Sequence, residues 1–385
     1  MISTDAPSIP TASNTYPPHN AVARSELADL YEKALAGERF TFEDGLRLFN
    51  THDIRTLGRM ADAVRRRYND DVVFFNKNRH INPTNVCAFH CNFCSFARFK
   101  EDAPGAYTWT PEEIVEHIRP TVDEGVTEFH IVGGLHPRLG FEYYEDVLRA
   151  LKAAYPWVHL KAFTAIEIDF FRKLTGLPLR EVLERCIAAG LDSMPGGGAE
   201  IFHPDVRQRI CPEKADADRW LEIHRLAHEL GLRTNATILY GHIESYEHRV
   251  DHLLRLRDLQ DQTGGFQTFI PLAFHPEDNG LGRKIQRRWT TGVDDLKTLA
   301  IGRLLLDNFP HVKAYWVMLT PAMAQVALAN GADDIDGTVV EEKIYHDAGA
   351  TTSQRMTRAE LMRLIRTAGY RPVERDTLYN VVKEW

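Results

Sequence analysis

Residues 81–98 read INPTNVCAFHCNFCSFAR, and the placing of Cys87, Cys91 and Cys94 within them governs how the rest of the chain is read. The spacing is C-x3-C-x2-C, with Phe93 just before the last cysteine. Three thiolates can hold three irons of a four-iron cluster and leave the fourth open to a ligand or substrate, which points to chemistry rather than electron storage. Zinc is the competing reading. Structural zinc sites take four protein ligands in paired spacings, and no C-x2-C partner follows downstream. His90 sits directly before Cys91, a poor position from which to join the same metal.

Outward from this loop, composition narrows the class. At 385 residues, an α/β barrel with extensions accounts for the length as one unit. A net charge of -8 gives no basic footprint for nucleic acid. The first twenty residues, rich in Ser, Thr, Pro and Asn, lack the apolar centre of a signal peptide, and no run approaches a membrane span. A soluble cytoplasmic protein is expected, with neither a nucleic-acid nor a membrane partner. Cys186 and Cys211 bring the cysteines to an odd total of five, which argues against a disulfide framework and for a reducing compartment. Both are read as buried thiols.

Residues 1–24 are expected to be disordered, and 25–75 to form a helical extension with apolar positions at Leu27, Leu30 and Tyr31, then Phe42, Leu46 and Phe49, then Leu57, Met60 and Val64. Beyond them, strand-like runs at 128–132, 159–165, 192–194, 233–240, 267–272 and 312–318 alternate with amphipathic stretches at 111–124, 142–154, 179–189, 215–230, 246–263 and 293–308. With the segment leading to Cys87 this makes about seven βα repeats, the pattern of a TIM-type barrel, partial or complete, over 76–330. Residues 331–385 are read as a C-terminal element packed on the barrel, with a helix at 358–368.

Barrel function sits where strands end. That rule gathers four loops into one candidate site: Gly133-Gly134-Leu135-His136-Pro137, Pro195-Gly196-Gly197-Gly198-Ala199-Glu200, Tyr240-Gly241-His242-Ile243-Glu244 and Ala273-Phe274-His275-Pro276. Glycines let a backbone approach a ligand closely, so the first two loops are candidate cofactor walls. His136, His242 and His275 are candidate acids or bases, with His242 preferred because Glu244 lies beside it. Lys161, Arg98 and Arg283 are candidate carboxylate anchors by charge.

The stretch 81–98 resembles the cluster loop of the radical S-adenosylmethionine (SAM) superfamily. That resemblance implies a [4Fe-4S] cluster whose open iron is chelated by SAM, cleavage of SAM to a 5'-deoxyadenosyl radical, and an external electron donor such as flavodoxin or ferredoxin. It also implies that the backbone around Phe96 lies near the adenine, that Gly133 and Gly134 correspond to a loop contacting the SAM amino group, and that Glu200 corresponds to an acid bonding the ribose. Leu135 stands where that loop commonly carries an acid. Arg207 is a candidate for the SAM carboxylate, because a guanidinium fork suits that group.

From about residue 38 to the end, the wording GGLHP, KAFTAIEIDFF, LDSMPGGGAEIF, TNATILYGHIE, FIPLAFHPED and GADDIDGTVVEEKIYH resembles the aminofutalosine synthase family of the futalosine route to menaquinone. Related cyclic dehypoxanthine futalosine synthases and a deazaflavin FO synthase component share GGLHP and PGGGAEI. They typically read His-Ala-Phe-Ser-Pro-Pro-Glu where this chain has Lys161-Ala162-Phe163-Thr164-Ala165-Ile166-Glu167. The resemblance implies a transferase acting on an aromatic enolpyruvyl ether, 3-[(1-carboxyvinyl)oxy]benzoate, with SAM consumed as cosubstrate. Two other readings stay open: a related enzyme using SAM to abstract hydrogen, and a non-catalytic iron–sulfur or zinc module.

Overall fold

The computed structural model describes residues 22–286 and 289–385. Of the segment expected to be disordered, residues 1–21 lie outside those described. Among the described residues, the helices Ala28–Ala36, Phe42–Asn50 and Ile54–Asn69 precede the sheets. Thr41 and Asp44 form a reciprocal capping box at the start of the second, and Asp53 caps the third, which satisfies backbone donors that helix starts leave free. The third helix buries Leu57, Met60 and Ala61 and packs against the helix Gly292–Leu305 on the barrel's outer ring. Strand β1 (Val72–Asn76) follows, one residue before β2 (Asn78–Ile81).

From β2 the chain winds a parallel sheet through β3 (Glu128–Ile131), β4 (His159–Ala162), β5 (Ser193–Met194), β6 (Arg233–Tyr240), β7 (Phe266–Ala273) and β8 (His311–Val312). Its seven strands stand in chain order with helices between them, so it is a curled, partial TIM-type barrel. Registers are direct: His80 pairs with His130, and His130 in turn with Lys161. Inward-facing residues of neighbouring strands therefore lie side by side.

Strand β9 (Asp334–Gly337) and the residues after it meet both edges of that sheet, through bridges from Asp334 to Lys313 and from Val340 to Arg79. A second sheet, in the order β11-β10-β1-β9, joins β10 (Arg371–Arg375) and β11 (Val381–Glu384) to the strand that precedes the barrel. Only the β10–β11 pair in it is antiparallel. The strand that leads into the barrel and the C-terminal strands are thus knit into one sheet beside it.

Two strand readings end early, for local reasons. The run 159–165 is strand only to Ala162, because Thr164 and Glu167 form a capping box that starts the helix Ala165–Thr175. The run 312–318 is strand only at its start, and Trp316–Leu319 turns helical, with Trp316 Nε1 donating to the Gly337 carbonyl at 2.9 Å. A short, wholly buried apolar run carries no periodicity that separates the two forms. The helix from Pro111 stops at Ile118, and Arg119–Thr121 continues as a 3-10 turn around Pro120.

Candidate active site

A cavity of about 290 Å³ lies at the C-terminal ends of the strands. The cluster loop, the loops after β3, β4, β5 and β7, and the segment after β9 all contribute to its wall. Cys87, Cys91 and Cys94 line it and are half-buried, whereas Cys186 and Cys211 are buried elsewhere.

Backbone bonds hold the cysteine loop in place. Cys87 N–H donates to Arg98 O at 2.8 Å, Ala88 N–H to Leu135 O at 2.8 Å, and Asn92 N–H to Ile210 O at 2.9 Å. Arg98 closes the loop on itself, giving Nη1–H to the Ser95 and Phe96 carbonyls and Nε–H to that of Pro104. It is therefore a loop clamp, not the carboxylate anchor expected from its charge. Among the described residues, no three His, Cys, Asp or Glu side chains converge as ligands of a single metal ion. Burial raises the Cys87 and Cys91 thiols, so their thiolate forms need compensating positive charge.

Part of that charge comes from Lys214, which motif reading missed because nothing in its local sequence distinguishes it. Its Nζ lies 2.6 Å from Glu200 Oε1 and 5.0 Å from the Phe93 ring centroid, and it lines the cavity. Burial favours the neutral amine, but the charges of Cys91, Glu200 and Cys211 outweigh it and hold the ammonium above the ordinary lysine range. Glu200 adopts a left-handed backbone conformation, φ 47°, which turns its carboxylate to this side.

The glycine loops meet the cluster loop at close quarters. Gly134 N–H donates to Thr84 O at 2.8 Å, and Gly133 N–H to Glu167 Oε1 at 3.3 Å. Both glycines, Gly196 to Gly198 and Phe96 line the cavity. Glu167, the last residue of the distinguishing segment 161–167, lines the cavity too. Its carboxylate accepts from both Gly133 and Thr164 N–H groups, and burial pushes it up to about 7.

Several expected site residues lie elsewhere. Arg207 is buried away from the cavity, and its guanidinium donates to the carbonyls of Gly198, Ala199, Ile201 and Ala215. It shapes the loop that carries Glu200. His242 also lies outside the cavity wall: Nε2–H donates to Leu239 O at 3.0 Å and Nδ1 accepts from Ile243 N–H at 2.7 Å. Nδ1 also lies 3.1 Å from Glu244 Oε2, the pairing expected from the sequence, while burial lowers the basicity of the ring; with its nitrogens engaged in this way and its side chain outside the cavity wall, His242 braces the loop. His136 sits beside Glu101 outside the wall, and Arg283 is exposed. His275 does line the cavity, giving Nε2–H to Met318 O at 3.2 Å and leaving Nδ1 without a partner among the described residues. Lys161 lines it too, but is paired with Glu128 at 2.8 Å.

Residues 81–256 match the model of the radical SAM superfamily, and 263–384 that of the CofH/MqnC C-terminal region. The chain is 51% identical to the aminodeoxyfutalosine synthase of Thermus thermophilus, covering 93% of this chain and 96% of that protein. The aminodeoxyfutalosine synthase of Streptomyces coelicolor is also 51% identical, with 93% and 94% covered. The 5-amino-6-(D-ribitylamino)uracil–L-tyrosine 4-hydroxyphenyl transferase of Methanopyrus kandleri is 43% identical over 84% of this chain and 88% of its own. Among solved structures, methylornithine synthase superposes with a TM-score of 0.70 at 17% identity, covering 89% of this chain and 97% of that one, a likeness of fold. The superfamily match brings with it an iron–sulfur cluster and SAM. No helix among the described residues is long and apolar enough to cross a membrane. Cluster loop, barrel and near full-length identity together place the chain in the aminodeoxyfutalosine synthase family of radical SAM transferases.

Proposed function

We propose that this enzyme joins the 5'-deoxyadenosyl group of SAM to the enolpyruvyl alkene of 3-[(1-carboxyvinyl)oxy]benzoate, with migration of the aryl group from oxygen to carbon and loss of one carboxyl group, giving 6-amino-6-deoxyfutalosine for menaquinone synthesis. The observation that carries this reading is the position of residues 161–167, the segment that departs from the hydrogen-abstracting relatives. Lys161, Thr164, Ile166 and Glu167 all stand on the cavity wall, Lys161 on the strand and the other three at the start of the helix that follows it.

Cys87, Cys91 and Cys94 would hold a [4Fe-4S] cluster, which when reduced by a donor such as flavodoxin or ferredoxin supplies the electron that cleaves SAM. The chain's own groups bind, orient and exclude water. Lys214, a buried cation beside the cysteines, suits the SAM carboxylate, and Glu200 the ribose hydroxyls. The Gly133–Gly134 backbone and the Phe96 region form the walls on either side, and Phe89, Phe93, Leu135 and Ile166 keep the space between them apolar. A dry, fixed pocket favours addition to the alkene bound beside SAM over escape of a reactive species. Five unpaired cysteines suit a reducing cytoplasm.

The test is anaerobic turnover with SAM carrying carbon-13 in its ribose. The label is expected in a product containing both adenine and benzoate, with methionine alongside and one carboxyl group lost. Label recovered chiefly in free 5'-deoxyadenosine, with the enolpyruvyl benzoate untouched, would replace this reading by hydrogen abstraction.

A further inference from the structure

The deep end of the cavity, on the strands themselves, differs from the cluster end. Its two ammonium groups are already balanced: Lys161 Nζ lies 2.8 Å from Glu128, and Lys313 Nζ 3.1 Å from Asp336. Neither lysine is a free anchor for an incoming anion. The groups left unsatisfied are neutral. His80 and His130 are register partners on β2 and β3, and their rings stack at 4.6 Å with planes 23° apart, which repeats the spacing between neighbouring strands. Both line the cavity, and among the described residues neither ring nitrogen has a hydrogen-bond partner. The Tyr315 ring lies almost parallel to His80, 10° between planes at 6.5 Å, and its buried Oη has no partner either. Buried polar groups are ordinarily hydrogen-bonded, so the partnerless buried Tyr315 hydroxyl, with two half-buried imidazoles opening onto the same cavity beside it, marks a site that a ligand completes.

We propose that His80, His130 and Tyr315 form the subsite that binds the ring carboxylate of the aromatic substrate at the deep end of the barrel. The inference rests on the function proposed above. Chemistry fixes which carboxylate goes there: the alkene must face the cysteine loop, and the carboxylate on the far side of the ring then reaches the opposite end. An imidazole N–H from each histidine and the phenol O–H supply the donors.

Proton uptake follows from the same arrangement. Burial lowers both histidines. Around His80, Glu342, Asp336 and Glu128 oppose that effect while Lys313 adds to it; around His130, His80, Lys161 and Lys313 add to it and Glu128 opposes it. The empty pair is therefore neutral at pH 7.5. A bound carboxylate favours the charged imidazole, and two stacked rings accommodate only one charge, so binding takes up about one proton.

The test uses the full-length enzyme with its cluster reconstituted and SAM bound, titrated anaerobically with 3-[(1-carboxyvinyl)oxy]benzoate by calorimetry in two buffers of different ionisation enthalpy. His80→Phe and His130→Phe should each weaken benzoate binding about tenfold or more, and Tyr315→Phe, which keeps the ring, about three- to tenfold, with SAM affinity unchanged. His130→Gln keeps a neutral donor, so it should retain more affinity than His130→Phe while lowering proton uptake. Wild-type affinity in the Tyr315→Phe and both histidine variants, or binding with no proton uptake, would overturn the subsite and leave the functional reading standing. If the wild-type enzyme binds SAM but not the benzoate, the functional reading falls and the subsite with it.

Discussion

Gly134→Ala should damage the cluster loop more than the SAM pocket, because of what a Cβ at that position meets. It would collide with the Val86 carbonyl oxygen and lie 2.8 Å from its carbon and 3.0 Å from the Asn85 carbonyl carbon. Ordinary contacts are about 3.5 Å, so the backbone of residues 85–86 must retreat by roughly 1 Å. Val86 directly precedes Cys87, which is tied by its N–H to Arg98 at 2.8 Å, so the retreat pulls on the first cluster ligand. Overpacking of this kind costs about 1–3 kcal/mol, and backbone atoms yield less readily than a side chain, which places the cost near the upper end. For 385 residues the entropy of unfolding is about 0.8 kcal/mol per kelvin, so the melting temperature should fall by about 2–4 °C. Thermal unfolding of the metal-free protein reads that cost, and iron bound per chain after reconstitution should drop in parallel. Gly133→Ala is the control, since its Cβ would approach the Thr84 carbonyl only to 3.1 Å and should cost less. A Gly134→Ala protein with wild-type melting temperature and iron content, or equal loss in both variants, refutes the reasoning.

Alanine at Cys87, Cys91 or Cys94 should abolish stable cluster binding and turnover, while Cys186→Ala and Cys211→Ala keep most of both; iron analysis and activity decide, and full turnover by Cys91→Ala would defeat the assignment. Lys214→Met should strand the Glu200 carboxylate, at a cost of about 3–5 kcal/mol for a broken buried pair, and weaken SAM binding in equilibrium titrations. The Lys214→Met, Glu200→Gln double variant should be less than additive, and additivity would show that the two do not act together. Burial raises the folded Glu167 carboxyl from an ordinary 4.5 to about 7, so its contribution is full below about pH 4.5 and lost as pH climbs to 7, a change of about 3 kcal/mol. Relative to wild type, Glu167→Gln should therefore gain in melting temperature from pH 5 to pH 8; a constant difference counts against it.

The cysteine spacing at 87, 91 and 94, the alternation of strand-like and helical runs, and the glycine loops after them are local patterns. They were legible in the sequence because ligand spacing and burial periodicity are written over a few residues at a time. What the sequence could not display was partnership across long separations. Lys161 reads as a free charge until β3 brings Glu128 beside it, and Arg207 as an anion clamp until the loop from 198 to 201 folds over its guanidinium. Glu244 does stand beside His242, as its place in the sequence suggests, but the ring is also tied to the backbone of its own loop and lies outside the cavity wall. Lys214 carries no motif, yet it becomes the cation beside Cys91 and Glu200. His80 and His130 lie fifty residues apart and meet only because β2 and β3 pair in one register. A side chain's charge and donor count belong to the residue, and so the sequence determined the kind of chemistry this barrel carries. Whether those groups are free to meet a ligand depends on which distant groups have already satisfied them, and that was decided only by the tertiary structure.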